Sequence, residues 1–194
     1  MSRIIIVTDS TADLTEQEIQ DFNIHVVPLN ITIQEEHYLD GETITKEEFK
    51  NKMIASSELP MTAQPSIGRF VELYDELGKD GSQIISIHLM NSISGTVNAA
   101  RQAADITEST VTVVDSDFTS RSMGIIVREA AKAAQEGKSS AEVLEVIEMA
   151  IAAAWRRENG NRDQNVRAEL NTQTGDAEVF VQYEVVDGEE AYNI

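Results

Sequence analysis

The run Ile84-Ile85-Ser86-Ile87-His88-Leu89 is followed by Asn91-Ser92-Ile93-Ser94-Gly95-Thr96 and then by Val97-Asn98-Ala99-Ala100-Arg101-Gln102-Ala103-Ala104. A short apolar, β-branched run predicts a buried strand, and the alanine-rich run predicts a helix that opens on a hydroxyl-rich turn containing glycine. In an open α/β sheet, ligands lie in the crevice beyond the carboxyl ends of the strands. A helix start placed there offers unpaired N–H groups and a partial positive charge, which suits a phosphate or a carboxylate. Ser92, Ser94 and Thr96 add hydroxyl donors. The alternative is that Ser94 or Ser92 only caps the helix and touches no ligand.

The same unit recurs along the chain. Arg3-Ile4-Ile5-Ile6-Val7 predicts a fully buried strand ending in Thr8-Asp9-Ser10-Thr11, where Asp9 either orients hydroxyls or closes a turn. Thr15 with Glu18 forms a capping box for a helix over 16–22, and Thr45 with Glu48 forms another for a helix reaching about Ser56. Ile24 to Ile33 predicts one strand in which Pro28 marks an edge or a change of direction, followed by a small hairpin or turn over 35–41. Pro60 to Ser66 predicts a rigid loop, with Ser66 capping a helix over 67–79. That loop either sets Thr62, Gln64 and Ser66 around one anion or is a plain connector. Thr110 to Ser116 predicts a further strand, and Gly124 to Gln135 a helix ending at Gly137. Such alternation predicts an α/β fold of three layers around a mostly parallel sheet. The strand ends carry Ser10 and Thr11, Ser92 and Ser94, and Ser116 and Thr119.

Composition removes several function classes. The chain of 194 residues carries 15 basic and 34 acidic side chains, a formal net charge of −19, so phosphate backbones and anionic lipid surfaces repel it and nucleic acid is not an expected partner. Cysteine is absent, which excludes disulfides, thiolate metal sites and a cysteine nucleophile. His25, His37 and His88 have no metal-ligand spacing; they are read as ordinary strand or turn residues, His88 as a packed one. No phosphate-binding glycine fingerprint, acid pair with a histidine, or Ser-His-Asp spacing stands out, so neither catalysis nor a cofactor is expected. No signal peptide precedes the first strand and no apolar run approaches a membrane span, so the expected address is the cytoplasm.

Five ordered motifs carry a resemblance. Val7-Thr8-Asp9-Ser10-Thr11-Ala12-Asp13-Leu14, Tyr38-Leu39-Asp40-Gly41, Met61-Thr62-Ala63-Gln64-Pro65-Ser66, Ser92-Ile93-Ser94-Gly95-Thr96 and Val114-Asp115-Ser116 recur in the order seen in the amino-terminal half of DegV family proteins. The resemblance covers about residues 1–148. It implies a long-chain fatty acid as ligand, and similarity to the acyl-carrying subunit that serves a fatty acid kinase in Gram-positive bacteria. Carried across by motif, it makes Thr62, Ser94 and Gly95 the carboxylate contacts, with Ser10, Ser66 and Ser92 as further candidates. Ala63 departs from the pattern, which usually has a serine there. The chemistry fits: a carboxylate needs donors, which hydroxyls and helix-start N–H groups supply, and the tail needs apolar volume.

The DegV pattern stops before the second domain in which family members continue. Ser140 to Glu148 runs without a Gly, Pro or Ser linker into Met149 to Glu158, and then into Asn165 to Asn171, Thr174-Gly175-Asp176 and Val179 to Asp187, which predict a β-hairpin turning at Gly175. Residues from about 146 to 190 resemble part of the amino-terminal domain of the transcription factor NusA. The reading is therefore a DegV-like domain over 1–148 with a helix-and-hairpin appendix over 149–194, joined as a chimera or recombined chain. Val166, Ala168 and Leu170, with Val179, Val181, Tyr183 and Val185, are expected to bury one face of the hairpin. Arg156, Arg157, Arg162 and Arg167 form a local basic patch, which would serve polymerase or RNA binding; the other reading is that the segment caps the sheet or stabilises the fold.

Overall fold

The computed structural model describes residues 2–159, 164–171 and 173–183. In chain order the elements are β1 (Ile4–Asp9), α1 (Glu16–Asp21), β2 (His25–Val27), β3 (Asn30–Ile33), β4 (Glu36–Leu39), α2 (Lys46–Ala55), β5 (Met61–Ala63) and α3 (Ile67–Gly78). They continue with β6 (Gln83–His88), α4 (Thr96–Ile106), β7 (Thr110–Asp115), α5 (Ser120–Gln135), α6 (Ser140–Glu158), β8 (Asn165–Leu170) and β9 (Ala177–Gln182). Strands β2, β1, β6 and β7 lie side by side in that order, all parallel.

Because successive strand residues point to opposite faces, the apolar runs feed two cores. Ile5, Val7 and Ile84 pack on one side against Phe70, Tyr74, Val97 and Ala100 of α3 and α4. Ile4, Ile6, Ile85 and Ile87 pack on the other against Met123, Ile126, Val143 and Ile147 of α5 and α6. This is the three-layer, parallel α/β architecture that the alternation predicts.

Two expected elements differ. The strand predicted over 24–33 is two strands: β2 ends at Val27, and after Pro28 the chain enters a second, antiparallel sheet ordered β4-β3-β5. Pro28 stands where the direction changes. The predicted loop at 60–66 contains β5, which pairs with β3 although all its side chains are exposed. Its strand character comes from that distant pairing, so no local apolar pattern announces it.

Helix α5 begins at Ser120, four residues before Gly124, the expected start. The glycine serves a close approach inside the helix: a Cβ there would lie 2.2 Å from the Ala12 carbonyl oxygen. It lets α5 press on the turn that follows β1.

Helix α6 crosses residue 148 unbroken, opened by a capping box between Ser139 and Glu142. Val166 and Ala168 of β8 are buried in the same core as Ile147 and Ile151, and the Leu170 N–H donates to Glu148 at 2.8 Å. Val179 and Val181 are half-buried, but Tyr183 is 77% exposed, because it stands just past β9 where the helix no longer covers it. Val185 and Arg162 lie outside the described residues.

Gly124→Ala separates two effects of opposite sign. Helix propensity favours alanine by about 1 kcal/mol, whereas the clash with the Ala12 carbonyl is an overpacking cost of about 1–3 kcal/mol. The clash is with rigid backbone, so a net loss of up to about 2 kcal/mol is expected in urea unfolding, and a gain in stability would refute the close-approach role.

Candidate ligand site

From β1 the chain crosses to β2 on one side of the sheet, and from β6 to β7 on the other. The crevice between the carboxyl ends of β1 and β6 is therefore the topological switch point. Asp9 ends β1 and His88 ends β6, and both are fully buried. His88 Nδ1 lies 3.0 Å from Asp9 Oδ2, His88 Nε2 lies 2.7 Å from Ser86 Oγ, and the Tyr74 hydroxyl donates to Ser86 Oγ at 2.8 Å.

One proton arrangement satisfies the whole chain. Tyr74 donates to Ser86, Ser86 donates to a neutral His88 at Nε2, and His88 donates from Nδ1 to an ionised Asp9. Asp9 accepts further bonds from the Leu89 N–H at 3.1 Å, the Thr11 N–H at 3.0 Å and the Thr11 hydroxyl at 2.5 Å. Burial opposes its charge most strongly, but His88 and these donors together hold the carboxyl below its ordinary range. Burial pushes the Tyr74 hydroxyl upward, so it stays protonated and a donor.

Ser86, His88 and Asp9 thus form a Ser–His–Asp chain that sequence spacing does not reveal, since His88 and Asp9 are 79 residues apart. Ser86 is fully buried and engaged on both sides, so the chain is a tie between strand ends and offers no accessible nucleophile. Among the described residues no group of three His, Asp or Glu side chains is placed to hold a metal, and no helix is long and apolar enough to cross a membrane.

The segment after β5 approaches the start of α4 through the Gln64 side chain, which reaches Gly95. Thr62 is exposed on β5 opposite Ile31, and the Gln64 carbonyl accepts from Asn30 Nδ2 at 2.9 Å. The Gln64 side-chain oxygen lies 1.9 Å from where a Cβ on Gly95 would be, so the Gln64 side chain packs over Gly95 and would have to turn aside for a larger residue there. Gly95 holds the N-cap position of α4 and supplies no side-chain cap, while Ser94 Oγ accepts the Thr96 N–H at 3.3 Å and lies 2.9 Å from the Thr96 hydroxyl. The large side chains preceding the two hydroxyl candidates are strongly exposed, Met61 at 66% and Ile93 at 63%.

The other candidates stand differently. Ser92 is exposed in the turn before α4. Ser66 caps α3 by accepting the Arg69 N–H at 3.2 Å. Ser10 accepts the Leu29 N–H at 3.1 Å and lines a cavity of about 480 Å³ beyond β1 and β2, floored by Leu14, Ile19 and Val26. Asp13, Asp40 and Glu47 also line that cavity, which makes it unfavourable for a carboxylate. His25 sits half-buried in β2, and His37 meets the Thr32 hydroxyl across the β3–β4 pair at 3.0 Å.

Asp9→Asn keeps the shape and removes the charge on which the tie depends. A loss of about 2–4 kcal/mol is expected at pH 7. Because folding lowers the Asp9 pKa, its stabilisation is present above the unfolded value near 4 and disappears as pH falls through the folded value. Urea unfolding should therefore show the gap between wild type and variant shrinking below about pH 4; a gap constant with pH would rule out an ionised Asp9.

Comparison with known proteins gives two family matches. A model for uncharacterised proteins of the DegV family matches residues 3–154, and one for the NusA N-terminal domain matches residues 125–194, so the two overlap within α5 and α6. A DegV domain-containing protein of Staphylococcus aureus strain N315 is 46% identical over 147 residues, covering 76% of this chain and 52% of the relative. One from Listeria monocytogenes is 48% identical over 142 residues, covering 73% and 51%. The chain thus spans about half the length of the curated relatives it matches. Among solved structures, a fatty-acid-binding DegV family protein from Thermus thermophilus aligns with TM-score 0.71 and 34% identity over 88% of this chain and 57% of its own. DegV from Bacillus subtilis, described as a fatty acid binding protein, aligns with TM-score 0.73 and 33% identity over 77% and 54%. With the parallel sheet, the ordered motifs and a family match covering most of its length, the chain belongs to the DegV family.

Proposed function

We propose that this chain is a fatty-acid-binding module that holds a long-chain acyl carboxylate at the start of α4. Thr62 and Ser94 donate their hydroxyls beside Gly95, and the first-turn N–H groups of α4 add donors once the flexible Gln64 side chain, which occupies the space over Gly95, turns aside. The observation that carries the reading is the meeting of the β5–α3 segment with Gly95, where Gln64 fills the place of the missing Cβ. That contact brings two of the family motifs to one point, and the Thermus thermophilus and Bacillus subtilis relatives of the same fold are described as fatty acid binding. Met61 and Ile93, each exposed beside a hydroxyl donor, give the first carbons of the tail an apolar surface.

The role is binding without catalysis, since the nearest Ser–His–Asp chain is buried and internally satisfied. A fatty acid kinase is the partner that the family resemblance implies; the cytoplasm is the address expected from the sequence, on grounds separate from that resemblance. The division is a DegV-like domain over 1–148 and an appendix over 149–194, with Ser10, Ser66 and Ser92 as further candidate donors: Ser10 and Ser66 accept backbone N–H groups, as Ser94 does, and each keeps its O–H to donate. A second reading, a recombined chain whose appendix serves folding and whose pocket is incomplete, is favoured by one observation: the two family matches overlap along the helices that build the core. Polymerase or RNA binding is disfavoured, because Arg167 is paired with Glu169 at 3.1 Å.

Native mass spectrometry of the purified protein, followed by organic extraction, tests the function. An adduct of fatty-acid mass is expected; a bare chain that gains no thermal stability from added palmitate would favour the second reading. Thr62→Ala and Ser94→Ala should each weaken palmitate binding by about 1–3 kcal/mol, roughly 5- to 150-fold, with little change in unfolding. Unchanged affinity in both would move the carboxylate site elsewhere.

A further inference from the structure

We propose that the outer edge of β7 is a strand-addition surface for a second copy of this chain, held closed by the turn of the carboxyl-terminal hairpin. Among the described residues β7 pairs with β6 on one side only and ends the parallel sheet. Its sequence, Thr110-Val111-Thr112-Val113-Val114, is an unbroken β-branched run without proline or glycine, and Asp115 is its only charge. Such a segment on a sheet edge is a template for pairing with another chain.

The strand itself selects a second copy as the occupant. The backbone groups of Val113 and Asp115 face outward, so an antiparallel two-fold pairing centres on Val113 and sets Asp115 of each copy opposite Val111 of the other; the two charges lie at opposite ends of the ladder and β-branched residues face one another between them. A parallel pairing would align the two carboxylates.

The hairpin closes the edge through backbone. The Asp115 N–H donates to the Gly175 carbonyl at 2.9 Å. Gly175 has φ of 74°, and a Cβ on it would stand 1.8 Å from the Val113 carbonyl oxygen. Arg101 of α4 pairs with Asp176 at 2.7 Å and fixes the turn from the side. The turn covers Val113 to Asp115 and leaves Thr110 exposed, so it occupies part of the place of a fifth strand without forming one. The formal charge of −19 also opposes association until salt screens it.

The test compares two left-handed glycines. Gly175→Val violates both the φ and the contact with β7, whereas Gly137→Val violates an equivalent φ of 80° with nothing within 4 Å of the added Cβ. Hydrogen exchange at the Asp115 amide and mass by light scattering are measured at about 0.5 M NaCl, where charge repulsion is largely screened. Gly175→Val is expected to exchange at Asp115 at least about tenfold faster and to double in mass, while Gly137→Val does neither. Asp176→Ala, which removes the ion pair and leaves the turn backbone unchanged, keeps the test open if Gly175→Val fails to fold; it should speed exchange and associate more weakly. Fast exchange in a chain that stays monomeric would end the strand-addition surface, and unchanged exchange in both Gly175→Val and Asp176→Ala would end the closure. Equal association of Gly175→Val and Gly137→Val would assign it to strain and overturn the proposal.

Discussion

A carboxylate buried at the end of a strand costs several kcal/mol unless donors surround it, and the crevice of this protein is organised around one such carboxylate. Asp9 accepts from His88 and Leu89 at the end of β6 and from Thr11 in the turn after β1. These bonds join the two strands whose connections diverge, so they set the distance across the crevice. His88 is in turn held by Ser86, Ser86 by Tyr74 of α3, and the ring of Phe70 packs edge-on against the His88 imidazole with centroids 5.1 Å apart. The polar tie and one of the two cores are therefore a single assembly. Loosening either moves the end of β6, from which the Asn91–Gly95 turn and α4 depart.

What the sequence makes legible is what local chemistry decides. The capping boxes at Thr15 and Glu18 and at Thr45 and Glu48 each close within four residues and are both present. The apolar strands and the Gly175 turn follow from composition over a few positions. Elements fixed by distant partners are not legible. β5 is exposed on every side chain and exists because β3 pairs with it. Gly124 resembles a helix start until the Ala12 carbonyl is seen against it. Asp9 and His88 read separately as a turn residue and a packed histidine, and only the strand order makes them partners. The proposed donors at Thr62 and Ser94 come from the family motifs; spacing alone left caps and connectors as equal readings.

The hairpin shows how a segment with a different family resemblance becomes part of one fold. Its core residues, Val166 and Ala168, share a cluster with Ile126 and Ile147, and its turn rests on β7 through Gly175. A two-stranded hairpin is marginal alone in water. Here it gains a helix face, a backbone bond to the sheet and an ion pair to α4, and the sheet gains a covered edge. Continuity of α6 makes this coupling rigid, because a helix passing from Ser140 to Glu158 without a break transmits the orientation of one end to the other.

Energetics then place the weight of ligand binding on the tail. In the proposed site the donors at Thr62, Ser94 and the α4 start are neutral, so each would contribute a hydrogen bond to a charged group, worth about 1.5–3 kcal/mol. A palmitoyl tail of roughly fourteen methylenes releases about 11 kcal/mol if fully buried, at about 0.8 kcal/mol each. Association itself costs about 4–15 kcal/mol, so the head group cannot hold the ligand without most of that burial. Met61 and Ile93 offer the tail one wall, and both remain largely exposed. A tail lying on that wall alone, half in water, forfeits about half its transfer free energy, enough to move binding by roughly four orders of magnitude. Affinity at the proposed site would therefore be set by whatever covers Met61 and Ile93, while the α4 start would set which end of the ligand points inward.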